Sequence, residues 1–125
     1  MMFDTDVLIW FLRGNEKAGR FIDEAPERTT SAVTLMELLQ GARSGQESRE
    51  IRAFLQRQSF RVLPLTESIS HLAIALIEEH ALRDGLLLAD SLIAATARGA
   101  GETLATGNIK HFRRIRNVKL KAFRP

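Results

Sequence analysis

The chain alternates short apolar segments with longer amphipathic ones, and no other feature restricts its fold as strongly. Five short β-rich segments are separated by segments whose apolar residues recur every three to four positions, which is the period of a helix. Strands that alternate with helices form a parallel sheet with helices on both faces. We therefore predict an α/β protein, a three-layer α/β/α sandwich around a parallel sheet of four to five strands. The predicted strands are residues 1–4, 28–33, 60–65, 102–106 and 118–123.

Length and composition set the broad class. A chain of 125 residues without a linker or an internal repeat is expected to form a single domain over residues 1–125. There is no cysteine, which excludes disulfides and thiolate metal sites. The apolar runs are too short to cross a bilayer and no signal peptide opens the chain, so we expect a cytoplasmic protein with no membrane partner.

Three acidic residues lie at the edges of predicted elements. Asp4 ends the first strand, Glu37 lies in the helix after the second strand, and Asp90 opens the helix before the fourth strand. Ligands of open parallel sheets bind beyond the carboxyl ends of the strands, where Asp4 and Asn108 would lie on one rim if the first and fourth strands are neighbours. Clustered carboxylates need a cation, and oxygen ligands suit Mg²⁺ or Mn²⁺. The pattern predicts metal-dependent chemistry on a phosphate backbone.

Each of these acids also has a purely structural explanation. Asp4 or Asp6 can cap the first helix through its side chain. Glu37 can complete a capping box with Thr34, three residues earlier. Asp90 stands in the first turn of its helix, where an acid interacts favourably with the helix dipole. The residues alone leave these alternatives open.

Positive charge is concentrated at the end of the chain. Residues 110–125 contain seven basic groups and no acid, which leaves the remainder with 11 basic and 15 acidic groups and a net charge of −4. A basic segment beside an acidic body suits a polyanion such as RNA. The alternative is an edge strand whose charges prevent aggregation. The candidate RNA-binding residues are Lys110, Arg113, Arg114 and Arg116.

Four sequence strings together resemble a known family. "DTDVLI", "SAVTLMELLQGA", "LADSLIAATA" and "LATGNIKHF" occur in the order and spacing typical of PIN-domain proteins, in particular the VapC-like ribonuclease toxins of bacterial type II toxin–antitoxin pairs. The resemblance covers essentially the whole chain. It implies an Mg²⁺- or Mn²⁺-dependent endoribonuclease whose catalytic, metal-binding carboxylates are Asp4, Glu37 and Asp90. Thr5 matches the hydroxyl that supports the site in this family, and Thr106 is a further supporting candidate.

The fourth string departs from the family pattern. Many members carry another Asp after the fourth strand, at the places where this chain has Asn108 and His111. Asn108 and Asp6 are therefore additional candidate ligands. His111 is expected either to contact phosphate or to have no special role.

The resemblance also implies partners beyond the RNA substrate. A VapC-like toxin pairs with a separate antitoxin chain, whose C-terminal segment lies over the helices near the active site. We expect the bulky residues of the first two helices to stay partly exposed, as the surface for a homodimer or for the antitoxin. These residues are Val7, Ile9, Trp10, Phe11, Phe21 and Ile22.

Two other functions remain as alternatives. A catalytically degenerate PIN fold would bind RNA or a partner without cleaving RNA, and Asn108 in place of an acid keeps this open. A haloacid dehalogenase-like phosphotransferase would use "DTD" as its nucleophile pair, although the chain is short for that fold. A receiver domain is disfavoured, because no Asp follows the third predicted strand.

Overall fold

A computed structural model describes residues 1–125 and confirms the alternation of strands and helices. The strands are β1 (Met2–Phe3), β2 (Arg28–Ser31), β3 (Phe60–Leu63), β4 (Leu104–Thr106) and β5 (Leu120–Ala122). The helices are α1 (Thr5–Leu12), α2 (Glu16–Asp23), α3 (Ala32–Gln40), α4 (Gly45–Arg57), α5 (Glu67–Asp84), α6 (Leu88–Ala100) and α7 (Ile109–Phe112). All five strands join one parallel sheet in the order β3-β2-β1-β4-β5. No helix combines the length and the apolar character needed to cross a membrane.

The sheet separates two apolar cores. Met2 and Phe3 of β1 are both fully buried, yet they belong to different clusters of apolar side chains, because neighbouring strand residues point to opposite faces. Leu104 and Ala105 of β4 divide in the same way. Helices α5 and α6 cover the Met2 side, whereas α1, α2 and α4 cover the Phe3 side. The three-layer architecture follows from this arrangement.

The start of α3 corrects one prediction. The second strand ends at Ser31, two residues earlier than predicted, because the Ser31 hydroxyl accepts a hydrogen bond from the backbone N–H of Val33 at 3.1 Å and so caps α3. Thr34 consequently lies inside the helix. The predicted capping box between Thr34 and Glu37 is wrong, and the Glu37 carboxylate is free for another use.

The prediction that the bulky apolar residues of α1 and α2 stay partly exposed is confirmed for Ile9, Trp10, Phe11 and Phe21 and wrong for Val7 and Ile22. Val7 and Ile22 are completely buried, and the other four residues are partly covered. Aromatic packing explains this, because Phe11 stacks on Phe54 of α4 with ring centroids 4.7 Å apart. The exposed large apolar side chains are instead Leu12, Met36, Ile74, Leu82, Leu87 and Leu88.

Candidate active site

The candidate site lies where the order of strands reverses. Strand β1 pairs with β2 on one side and with β4 on the other, so the connections leave it in opposite directions and open a crevice at the carboxyl ends. Asp4 directly follows β1, and Thr106 ends the neighbouring strand β4. The first and fourth strands are neighbours, as the pairing of Phe3 with Ala105 shows, so the condition set from the sequence is met.

Asp4 is the most buried acid of the crevice. Only 4% of its surface is exposed. Its Oδ1 accepts a hydrogen bond from the Thr5 backbone N–H at 2.8 Å, which caps α1, and its Oδ2 accepts one from the Thr106 hydroxyl at 2.7 Å. Burial and the charges of Asp6 and Asp90 raise the pKa of Asp4, and the two hydrogen bonds lower it. The net effect is a rise from 3.8 to about 7. Asp4 is thus a helix cap and also a carboxylate whose charged form is destabilised by its surroundings.

Asp6 is held against the loop after β4. Its Oδ2 accepts a hydrogen bond from the Gly107 backbone N–H at 2.8 Å. The close approach requires glycine, because a Cβ at position 107 would lie 2.5 Å from that oxygen. Its Oδ1 is buried and has no hydrogen-bond partner. Burial raises the pKa of Asp6, although the Gly107 N–H and His111 lower it. One anionic oxygen is therefore left unsatisfied beside Asp4.

Glu37 reaches the crevice through a hydroxyl of α1. The Thr5 hydroxyl donates a hydrogen bond to Glu37 Oε1 at 2.7 Å, and the buried Thr34 hydroxyl lies 3.0 Å from the same Thr5 oxygen. Thr5 thereby links α1 to α3 and orients Glu37, which is otherwise exposed to solvent. Thr34, regarded from sequence only as a possible cap, contributes to this positioning.

Asp90 enters the crevice from the first turn of α6. Its Oδ2 lies 3.1 Å from the Nδ1 of His111, whose side chain is 49% exposed. Burial raises the pKa of Asp90, and the nearby charge of Glu37 raises it as well, whereas His111 lowers it. The sequence left open whether His111 contacts phosphate or has no special role, and the structure shows that its ring contacts Asp90. Its position in the fourth string, where relatives carry an acid, was the signal for this contact.

The remaining candidates lie around the rim. Asn108 is exposed, and its backbone N–H donates to the Thr106 hydroxyl at 2.9 Å while its side chain caps no helix. Lys110 lines a small recess together with Asp90 and His111. Arg113, Arg114 and Arg116 are exposed, and Arg114 lies 3.7 Å from the carboxylate of Asp84. Of the four basic candidates, Lys110 lies beside Asp90, and Arg114 lies beside Asp84, which lines the same recess.

The chemistry of the crevice fits a divalent cation. Asp6 and Asp90 act on the pKa of Asp4, and Glu37 acts on that of Asp90, so the four carboxylates are electrostatic neighbours. No three acidic or histidine side chains converge closely enough in the structure to enclose one ion. The unsatisfied Asp6 oxygen and the raised pKa of Asp4 are nevertheless features that a cation would relieve.

Comparison with known proteins agrees with this geometry. The PIN domain family matches residues 1–118, and the chain belongs to this family. Ribonuclease VapC10 of Mycobacterium tuberculosis is 36% identical over 123 aligned residues, and the match covers 95% of this chain and 90% of that protein. A toxin–antitoxin complex from Klebsiella pneumoniae contains a chain that is 30% identical and superposes with a TM-score of 0.79, covering 94% of this chain and 93% of that one. FitAcB from Neisseria gonorrhoeae is 27% identical with a TM-score of 0.74, covering 95% and 94%.

Membership of the PIN domain family removes two of the alternatives raised by the sequence. A haloacid dehalogenase-like phosphotransferase and a receiver domain are different families, so neither describes this chain. The pair of acids in "DTD" therefore needs another explanation, and the structure gives Asp4 and Asp6 separate hydrogen-bond partners.

Proposed function

We propose that this chain is an endoribonuclease that hydrolyses RNA phosphodiester bonds with the help of a divalent cation, Mg²⁺ or Mn²⁺. The observation that carries the proposal is the buried carboxylate of Asp4, whose pKa is raised to about 7 beside two further acids at the switch point of the sheet. Ribonuclease VapC10, which is 36% identical to this chain, is named for cleaving RNA, and this supports RNA as the substrate here. We assign the catalytic and metal-binding roles to Asp4, Glu37 and Asp90, with Asp6 and Asn108 as additional candidate ligands.

The carboxylates would hold the cation, and two threonine hydroxyls keep the carboxylates in position. A bound divalent cation would supply an activated water molecule and would offset charge on the phosphoryl oxygens. Thr106 fixes one oxygen of Asp4 by a hydrogen bond, and Thr5 orients Glu37 in the same way. These contacts hold the carboxylates before substrate arrives, which lowers the cost of reorganisation.

Basic residues beside the crevice would hold the RNA backbone. Lys110, Arg113 and Arg116 are exposed and form no ion pair within the chain, so their charges are available to phosphates. Such contacts give affinity and register without reading the bases. RNA binding by these residues should weaken as salt increases.

A nuclease assay with purified protein tests the proposal. Wild-type protein should cleave single-stranded RNA with Mg²⁺ or Mn²⁺, EDTA should stop cleavage, and added Mn²⁺ should restore it. Asp90→Asn should abolish cleavage, whereas Asp23→Asn should not, because Asp23 is an exposed aspartate on α2 far from the crevice. RNA binding without cleavage under every metal condition would instead establish the degenerate, binding-only alternative.

We further propose that the chain is the toxin of a toxin–antitoxin pair. The Klebsiella pneumoniae relative is part of a toxin–antitoxin complex, and this chain carries a groove of about 580 Å³ between α1, α3 and α4. Its apolar lining includes Ile9, Leu12 and Ile51, and Glu37, which accepts a hydrogen bond from Thr5, also lines it. An antitoxin segment in this groove could present an arginine to the carboxylates in place of the cation. RNA and a co-expressed antitoxin would both be met in the cytoplasm.

For the homodimer expected from the sequence, the structure offers a second apolar surface besides the partly exposed one on α1 and α2. Leu82 is fully exposed near the end of α5, Leu88 at the start of α6 is more than half exposed, and so is Leu87 directly before it. Exposed apolar side chains that form one contiguous patch are typical of a contact surface. We propose this surface for a second copy of the chain, and Leu82→Glu should then convert a dimer into a monomer in sedimentation equilibrium. A wild-type monomer would rule the dimer out.

A further inference from the structure

A groove between α3 and α4 carries two arginines that no other side chain neutralises. Its volume is about 510 Å³, and it shares no lining residue with the groove proposed for the antitoxin. Arg49 and Arg52 line the groove, and both side chains are exposed. Neither arginine forms an ion pair or a side-chain hydrogen bond within the chain, and no acidic residue lines the groove.

The sequence of α4 explains why these two charges stay unpaired. Side chains three or four positions apart are neighbours on a helix, and opposite charges at this spacing form pairs. No acid stands at this spacing from either arginine, since the positions are occupied by Gly45, Gln46, Ser48, Ala53, Leu55 and Gln56. Arg49 and Arg52 are themselves three positions apart. They are neighbouring like charges, which destabilise the free helix until an anion neutralises them.

The acids of α4 lie on its other flank. Glu47 and Glu50 line the neighbouring groove between α1, α3 and α4, and each already has a partner. Glu47 is 2.8 Å from Nε of Arg43, and Glu50 accepts a hydrogen bond from Gln46 at 3.2 Å. The two flanks of α4 thus carry opposite charge, and the flank with the arginines is the one that lacks a partner.

The lining of the groove indicates which kind of anion fits it. Leu39 and Ala53, both partly buried, add apolar surface beside the arginines. Such surface suits a protein segment that combines acidic with apolar side chains. Single-stranded RNA binds where its bases can stack on aromatic side chains, and no aromatic residue lines this groove. The carboxylates of the candidate active site do not line it either.

We propose that the groove between α3 and α4 docks an acidic segment of a partner protein, whose carboxylates pair with Arg49 and Arg52. Apolar side chains of the same segment would contact Leu39 and Ala53. The planar guanidinium of arginine suits this role, because it can bind a carboxylate through two parallel hydrogen bonds. Carboxylates three or four positions apart on a helical segment would meet both arginines at once. This docking site is independent of the RNA cleavage proposed above.

Fluorescence anisotropy with two labelled helical peptides tests the inference. One peptide combines glutamate, leucine and alanine, with its glutamates at helical spacing, and the other has glutamine in place of every glutamate. The wild-type protein should bind the glutamate peptide about tenfold more tightly, as expected for two exposed ion pairs. Arg52→Glu should remove this preference. Arg57→Glu is the matched control, because Arg57 is an exposed arginine at the end of the same helix that does not line the groove.

Thermal unfolding of a second variant separates docking from a structural role. Arg49→Gln removes one of two neighbouring like charges, so the free protein should melt at an equal or higher temperature. The same variant should bind the glutamate peptide more weakly than the wild type does. An arginine that only stabilises the fold would give the opposite result, which is a lower melting temperature with unchanged peptide affinity.

The other possible occupants of the groove give different results. Equal binding of the two peptides by the wild type, or no measurable binding of either, would overturn the inference. Displacement of the glutamate peptide by single-stranded oligouridine would make the groove an RNA-binding surface instead. A dimer that Arg52→Glu dissociates in sedimentation equilibrium, while Arg57→Glu leaves it intact, would make the groove a contact between two copies of the chain.

Discussion

Replacing Asp4 with asparagine should stabilise the metal-free protein above neutral pH. Burial raises the pKa of Asp4 from 3.8 to about 7, so between these values the folded state holds a proton that the unfolded state has released. The free energy of unfolding therefore falls as pH rises through this window and levels off above it. Each pKa unit corresponds to about 1.4 kcal/mol, which makes the total loss about 4 kcal/mol for a side chain as buried as Asp4.

Urea unfolding in EDTA at about pH 4, 6 and 8 measures this effect. Asn can keep the hydrogen bond from the Thr5 N–H and carries no charge at any pH, so the variant and the wild type should be similar near pH 4. Near pH 8 the variant should be more stable by up to about 4 kcal/mol. Asp23→Asn, whose side chain is 69% exposed, is the control and should follow the wild type throughout. Equal pH dependence of wild type and Asp4→Asn would refute the burial argument.

Three further substitutions test other parts of the crevice. Asp90→Asn removes a negative charge that Glu37 repels, so the melting temperature in EDTA should stay equal or increase, while RNA cleavage is lost. Normal cleavage by this variant would mean that Asp90 is only a helix-terminal acid. Gly107→Ala places a Cβ 2.5 Å from the carboxylate of Asp6, and urea unfolding should show a loss of about 1–3 kcal/mol; unchanged stability would contradict the close approach. Asn108→Asp should tighten Mn²⁺ binding in titration calorimetry if Asn108 faces the cation, and unchanged affinity would show that it faces elsewhere.

The alternation of strands and helices along the chain and the place of Asp4 at the end of β1 were predictable because both depend on short-range patterns. The apolar periodicity located the strands and helices, and the rule for open sheets placed a site at the carboxyl ends of the strands, whereas the adjacency of β1 and β4 could be stated only as a condition. Asn15 and Thr66 cap α2 and α5 through their own side chains, which is a local interaction of the kind that sequence patterns indicate. These features need only residues that are close in the sequence or a topological rule.

Contacts between distant elements could not be predicted in the same way. Ser31 and Thr34 are both reasonable caps, and the pairing of Ser31 with Leu63 in the neighbouring strand decides between them. Asp90 and His111 meet because α7 packs against α6, which no local pattern indicates. Phe11 is partly covered because Phe54 of α4 stacks on it. The apolar surface of α1 and α2 therefore packs against a third helix, which the sequence of the two helices alone does not indicate.

We propose that divalent metal bound by the carboxylates around Asp4 both stabilises the fold and permits RNA cleavage. The most direct test adds Mn²⁺ stepwise to EDTA-treated protein and measures the melting temperature and the rate of RNA cleavage in the same samples. Both should increase with the same half-saturating concentration of Mn²⁺, since binding to the folded state stabilises it by mass action. Cleavage that proceeds at full rate without Mn²⁺, or a melting temperature that does not respond while cleavage does, would contradict the claim.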